Sequence, residues 1–189
     1  MTQSDHELVR QSQQGDRSAF EELVRRTGWA VFARLYLETA DTHQAEDLAQ
    51  ETFLSAWRSL RSLSNPEAFR PWLFAIAHSV LLDGVRREAR RKRRATGKRS
   101  AELDLIAADQ ASPSESADLR EQRENVLAAL RCLPQDYRLP LMMRYLGGAD
   151  YDTISRELAL TNGSLRGLLG RGLAMLREKL NDKTSIEVP

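Results

Sequence analysis

The residues of this chain that could act on a ligand are aromatics and cations rather than a catalytic set. Arg61, Asn65, Phe69, Arg70 and Trp72 fall around one proline-containing loop. Aromatic faces and cationic side chains are what hold the bases of an exposed single strand. Trp72 has a second reading as core, because it begins an apolar stripe. Just beyond, Arg86 to Arg99 holds nine basic residues and one acid, Glu88. Such a block either meets a polyanion or is a solvated helix end, and charge patterning alone leaves both open. Catalytic constellations are absent from the sequence. No nucleophile and base stand at a telling spacing, and there is no glycine-rich phosphate loop or paired-carboxylate motif. His6, His43 and His78 lie far apart, which gives no local metal-ligand spacing, and no cofactor is expected. Cys132 is the only cysteine, so no intrachain disulfide or cysteine-built zinc site can form. A lone thiol between Leu130 and Leu133 reads as a small core residue rather than a redox sensor.

These groups need elements to carry them. The 189 residues allow one ordinary domain or two small ones. The formal net charge of +1 hides a partition. Residues 1–100 carry +4, residues 101–124 carry −5, and residues 125–189 carry +2. No run approaches the roughly 20 apolar residues of a membrane span, and Met1 to Arg10 is polar without a signal-peptide core. A cytoplasmic protein without membrane insertion is the expectation.

The periodicity predicts an all-α fold: two small helical domains joined by a flexible linker. The expected division is 1–95, an acidic linker at 96–117, a second domain at 118–182 and a tail at 183–189. In the first domain, helices are expected over Asp16–Arg26, Trp29–Leu37 and Thr42–Leu60, with Asp16 or Ser18 capping the first and Thr42 the third. A fourth begins near Pro66, restarts at Pro71 and runs into the arginine block. Phe53 and Trp57 read as core on the Thr42–Leu60 stripe. In the second domain, helices are expected over Leu119–Leu133, Asp136–Leu146, Asp152–Ala159 and Gly163–Leu180. The last two, joined through Leu160, Thr161 and Asn162, have the pattern of a helix-turn-helix or of a plain packing hairpin.

Three motifs carry a resemblance. Asp47-Leu48-Ala49-Gln50-Glu51-Thr52-Phe53, followed by Ala56-Trp57, resembles the polymerase-binding helix of bacterial sigma factors. Pro71-Trp72-Leu73-Phe74-Ala75-Ile76-Ala77-His78-Ser79, running to Asp83 and Arg86-Arg87, resembles their promoter-melting helix. Leu130-Arg131-Cys132-Leu133-Pro134, Tyr137-Arg138, Tyr151-Asp152-Thr153-Ile154-Ser155 and Gly163-Ser164-Leu165-Arg166 resemble the domain that reads the minus-35 element. Their order and spacing are similar to the extracytoplasmic-function (ECF) group of the sigma-70 family.

The resemblance implies a non-enzymatic initiation factor whose partners are core RNA polymerase and promoter DNA, single-stranded at minus-10 and duplex at minus-35. It implies polymerase contacts from Glu46, Asp47, Gln50 and Glu51. Near the minus-10 strand it places Arg61, Asn65, Phe69, Arg70, Ser79 and Asp83, with Arg86, Arg87, Arg90 and Arg91 on phosphates. At minus-35 it implies a recognition helix with Arg166 and Arg171 on guanines, Ser164 as cap or phosphate contact, and Arg144 on a phosphate. Gly167 and Gly170 replace side chains that commonly read DNA, and Gly172 adds a third glycine to a helix each of them weakens. Family members are often held by an anti-sigma protein, although no residue here identifies one. Two rivals stand beside this reading: a free-standing helix-turn-helix regulator, and a sigma-like protein-interaction module.

Overall fold

The computed structural model describes residues 3–95 and 117–184, with side chains placed over 3–87 and 118–181. Residues 96–116 of the linker expected at 96–117, the side chains of Arg90 and Arg91, and residues 185–189 lie outside the described residues. Among the described residues there are helices and no strand. They form two compact units, one on each side of the linker.

The first unit has four α-helices: α1 (Asp5–Gln13), α2 (Arg17–Thr39), α3 (Thr42–Ser59) and α4 (Phe69–Ala95). Short 3-10 turns at Leu60–Ser62 and Pro66–Ala68 join α3 to α4. The sequence gives little sign of α1, since Leu8 and Val9 are its only large apolar residues. Both are buried, at 3% and 0% exposure, and Ser4 with Glu7 makes a capping box at its start. Gln13 ties the end of the helix to the 3-10 turn that follows α3, its Nε2 donating to the Leu60 and Leu63 carbonyls at 3.0 and 2.8 Å. The break expected between Arg26 and Trp29 does not exist. Helix α2 runs straight through Gly28, and Thr27 satisfies its hydroxyl on the Leu23 carbonyl at 2.7 Å.

Helix α3 is capped by Asp41, whose carboxylate accepts the Gln44 N–H at 3.0 Å, so Thr42 is the first helical residue and not the cap. Ala45, Leu48, Thr52 and Ala56 turn inward as its periodicity predicts. Trp57 does not. It is 38% exposed, tilted against Phe20 with ring centroids 4.8 Å apart, while Phe53 is half-buried. Pro66 opens a 3-10 turn rather than a longer helix, and α4 begins at Phe69 and passes Pro71 without a restart. Proline costs little there, because first-turn N–H groups have no intrahelical acceptor. Phe69, Leu73 and Ala77 face the core at 0–1% exposure.

The second unit comprises α5 (Ala117–Arg131), α6 (Gln135–Leu141), α7 (Tyr151–Glu157) and α8 (Asn162–Thr184), with a π-helical turn at Met142–Leu146. The single helix expected over Asp136–Leu146 is therefore two pieces. Pro140 lacks an N–H to donate within α6, and the chain then widens so that Gly147 N–H reaches the Met142 carbonyl at 2.9 Å. Arg138 folds back onto the end of α5, donating to the carbonyls of Leu130, Arg131 and Leu133 at 2.9–3.1 Å. Those are the acceptors a helix end leaves open. Cys132, expected in the core, is exposed just past that end. Leu130, Leu133, Leu141, Met142, Ile154, Leu165 and Leu169 form the core. Gly172 is buried rather than a weak exposed position. A Cβ there would stand 3.0 Å from a Leu141 methyl and 3.3 Å from the Tyr137 Cβ, so the missing side chain lets α8 lie close on α6.

Candidate functional site

The outer face of α3 carries the first group of candidate residues. Asp47 and Gln50 are exposed, and Leu54, one turn on, is 55% exposed. Glu46 is half-buried, 3.9 Å from His43. Glu51 is already engaged: Arg87 of α4 donates to its carboxylate at 2.6 Å. That contact raises the Arg87 pKa, chiefly through the hydrogen bond. A residue assigned to protein contact and one assigned to phosphate thus form one ion pair. Leu54 was missed in the sequence, although its spacing from Asp47 and Gln50 puts it on their face.

The second group surrounds the turn into α4. Asn65 caps the 3-10 turn, its Oδ1 accepting the Glu67 N–H at 3.1 Å. Arg61 is exposed on the preceding turn, and Ser79 and Asp83 are exposed along α4. Asp83 pairs with Arg86 at 3.3 Å. Arg70 is held by Asp5 of α1 at 2.8 Å, and the same carboxylate takes Arg26 of α2 at 3.1 Å. Asp5, His6, Pro66, Glu67, Phe69 and Arg70 line an open cavity of about 330 Å³. Phe69 is placed differently from the expectation. At 1% exposure its ring packs inward, 6.1 Å from that of Trp72, and has no free face for a base. Trp72 itself is half-buried.

The third group lies on the helix-turn-helix. Asp150 caps α7 by accepting the Thr153 N–H at 2.7 Å, and this bond holds its carboxylate below the usual range. Thr161, not Ser164, caps α8: its Oγ1 accepts the Ser164 N–H at 3.2 Å and donates to the Ser164 hydroxyl at 2.9 Å. Asn162 spans the turn, donating to Asp152 at 3.3 Å and accepting from Ser155 at 2.8 Å. Arg166 and Arg171 are exposed on α8. Gly170 has open space around it, whereas Gly167 lies under the Arg171 guanidinium, 3.6 Å from where a Cβ would be. Arg144 donates to the Ala149 carbonyl at 3.0 Å.

The two units match two halves of one family. Residues 15–91 match sigma-70 region 2, and residues 123–176 match sigma-70 region 4. Together they take in more than half of the chain. The chain belongs to the sigma-70 family. Its relatives place it in the ECF group. It is 30% identical over 174 residues to the ECF RNA polymerase sigma factor SigE of Mycolicibacterium smegmatis, covering 90% of this chain and 66% of that one. It is 25% identical to the ECF RNA polymerase sigma factor SigW of Bacillus subtilis, covering 92% and 95%. Among solved structures, CnrH in complex with the cytosolic domain of CnrY shares the fold, with a TM-score of 0.54, 23% identity and coverage of 97% and 99%. In this sigma-70 family chain, region 2 therefore contains α2, α3 and most of α4, and region 4 contains the helix-turn-helix of α7 and α8. No helix among the described residues is long and apolar enough to cross a membrane.

Proposed function

We propose that this chain binds core RNA polymerase, directs it to a promoter and helps open the minus-10 strand, acting by recognition and not by catalysis. The observation that carries the reading is the presence of both sigma regions, in order, with polar surfaces on the elements where each must act. The polymerase-facing surface is the outer face of α3, with Glu46, Asp47, Gln50 and Glu51, widened by Leu54. The strand-facing surface runs from Arg61 and Asn65 through Arg70 to Ser79, Asp83, Arg86 and Arg87; Arg90 and Arg91, next in the basic run of the sequence, are the further phosphate contacts of this reading. Phe69 acts there from beneath, holding the loop. Helix α8 enters the major groove with Arg166 and Arg171 toward base edges and Ser164 and Arg144 toward phosphates. Bare Gly167 and Gly170 shift base reading onto the two arginines. The reading places the protein in the cytoplasm with the polymerase, and allows an anti-sigma partner to cover the same surfaces, as family membership implies.

The test separates this from a free-standing regulator. Core polymerase, the chain, and both together are mixed with a randomised promoter library, and the bound DNA is probed with permanganate for unpaired thymines. Sequence-selective, strand-open complexes with both present, and not with either alone, are expected. Selective duplex binding by the chain alone, without opening, would mark a helix-turn-helix regulator instead.

A further inference from the structure

Two guanidinium groups from different elements share one aromatic ring in the second unit. Tyr151 is the first residue of α7, fixed behind the Asp150 cap. The Cζ of Arg144, on the π-helical turn, is 5.2 Å from its ring centroid. The Cζ of Arg166, near the start of α8, is 5.9 Å from the same centroid. Both fall within the ~6 Å over which an aromatic face attracts a cation. Arg144 is tied further by its bond to Ala149. Among the described residues Arg166 has no carboxylate partner, so the ring is the group that holds it.

We infer that Tyr151 is a positioning residue for promoter reading: its ring holds the Arg166 guanidinium, with Arg144 beside it, in the orientation from which Arg166 pairs with a guanine. The inference rests on the reading of α8 as a major-groove helix. Arginine loses rotamer freedom when it binds, and a contact that orders it beforehand lowers that cost at the moment of recognition. Orientation matters more for a base than for a phosphate. A bidentate pair with guanine O6 and N7 needs the planar fork aligned, whereas a phosphate accepts a cation from many directions. Loss of the ring should therefore weaken discrimination at one base position more than it weakens binding to all sequences. The buried residue of α7 is Ile154, whereas Tyr151 is half-exposed.

The experiment uses the full chain assembled with core polymerase and a promoter library randomised through the upstream element, with bound DNA sequenced. Wild type, Tyr151→Phe, Tyr151→Leu, Arg166→Ala and the Tyr151→Leu/Arg166→Ala double variant are compared. Arg166→Ala should erase a guanine preference at one position. Tyr151→Leu should reduce that same preference about two- to fivefold, the range of an exposed cation–ring contact. Tyr151→Phe should keep it, and the double variant should match Arg166→Ala alone. Tyr151→Met, ring-free and unbranched, gives the same comparison if Tyr151→Leu melts early. An unchanged preference in both ring-free variants overturns the inference. So does a uniform loss across all sequences, or equal loss in Tyr151→Phe and Tyr151→Leu. If Arg166→Ala itself leaves every preference intact, the base-reading role of Arg166 falls and the positioning role falls with it. If Arg166→Ala erases the preference and Tyr151→Leu does not, only the positioning role falls.

Discussion

Gly170 and Gly172 are two residues apart on one helix and meet opposite surroundings. Around Gly170 there is open space, so an alanine there gains the helical backbone preference that glycine lacks. Gly170→Ala should raise the unfolding free energy of the second unit by about 0.5–1 kcal/mol. Gly172 presses against Leu141 and Tyr137, and Gly172→Leu should cost about 1–3 kcal/mol through overpacking. Urea unfolding followed by circular dichroism checks both, and equal effects at the two sites would contradict the packing described. The sequence shows three glycines on an amphipathic helix but not which one faces a neighbour, because that depends on where α6 lies. The same limit explains Phe69, Trp57 and Cys132. A periodic stripe names the inward side of a helix, yet a residue at the stripe's edge or past the helix end can turn either way. Tyr151 was legible as part of a motif; its role beside Arg144 and Arg166 needs three elements brought together.

At the scale of elements, α3, α5, α7 and α8 were readable, whereas α1, the unbroken run of α2 and the change of helix type after α6 were not. Leu48, Thr52 and Ala56 announce α3, whereas α1 offers only Leu8 and Val9. Its docking depends on a polar network the sequence does not reveal: Glu22 binds Arg26, Arg26 binds Asp5 and the Gln3 carbonyl, and Asp5 binds Arg70. Hydrogen bonds from Arg25 and then Arg26 hold the Glu22 carboxylate down at about 2, from an ordinary 4.5. The folded value is below the unfolded one, so the contribution is complete above pH 4.5 and is lost as pH falls from there toward 2. Glu22→Gln should lower the melting temperature at pH 7, where the contribution is complete, and flatten that part of the acid-side decline, so that the two proteins converge toward pH 2. An unaltered acid limb in the variant would show that the pair does not couple to folding. Pro140 gave a further misreading, since the apolar pattern runs on through Leu146 while the hydrogen bonding changes register.

At the scale of the whole molecule, composition exposed the division into two units: a basic block, an acidic stretch, and no apolar run long enough to bridge them. Each unit closes a core of its own, the first around Leu23, Leu35 and Leu73 and the second around Leu133, Ile154 and Leu165. Fragments 1–95 and 117–189 should therefore each fold when expressed alone, with cooperative thermal melting by circular dichroism. A fragment that stays unfolded would contradict the description of separate cores. The central claim is that these units serve one polymerase, and its most direct measurement is binding of the purified chain to bacterial core RNA polymerase by fluorescence anisotropy, beside an Asp47→Ala/Gln50→Ala variant. The wild type should bind saturably and the variant with at least about a tenfold weaker affinity, equivalent to about 1.4 kcal/mol. Equal binding by the two proteins would remove α3 from the interface, and no binding by the folded wild type would contradict the account itself.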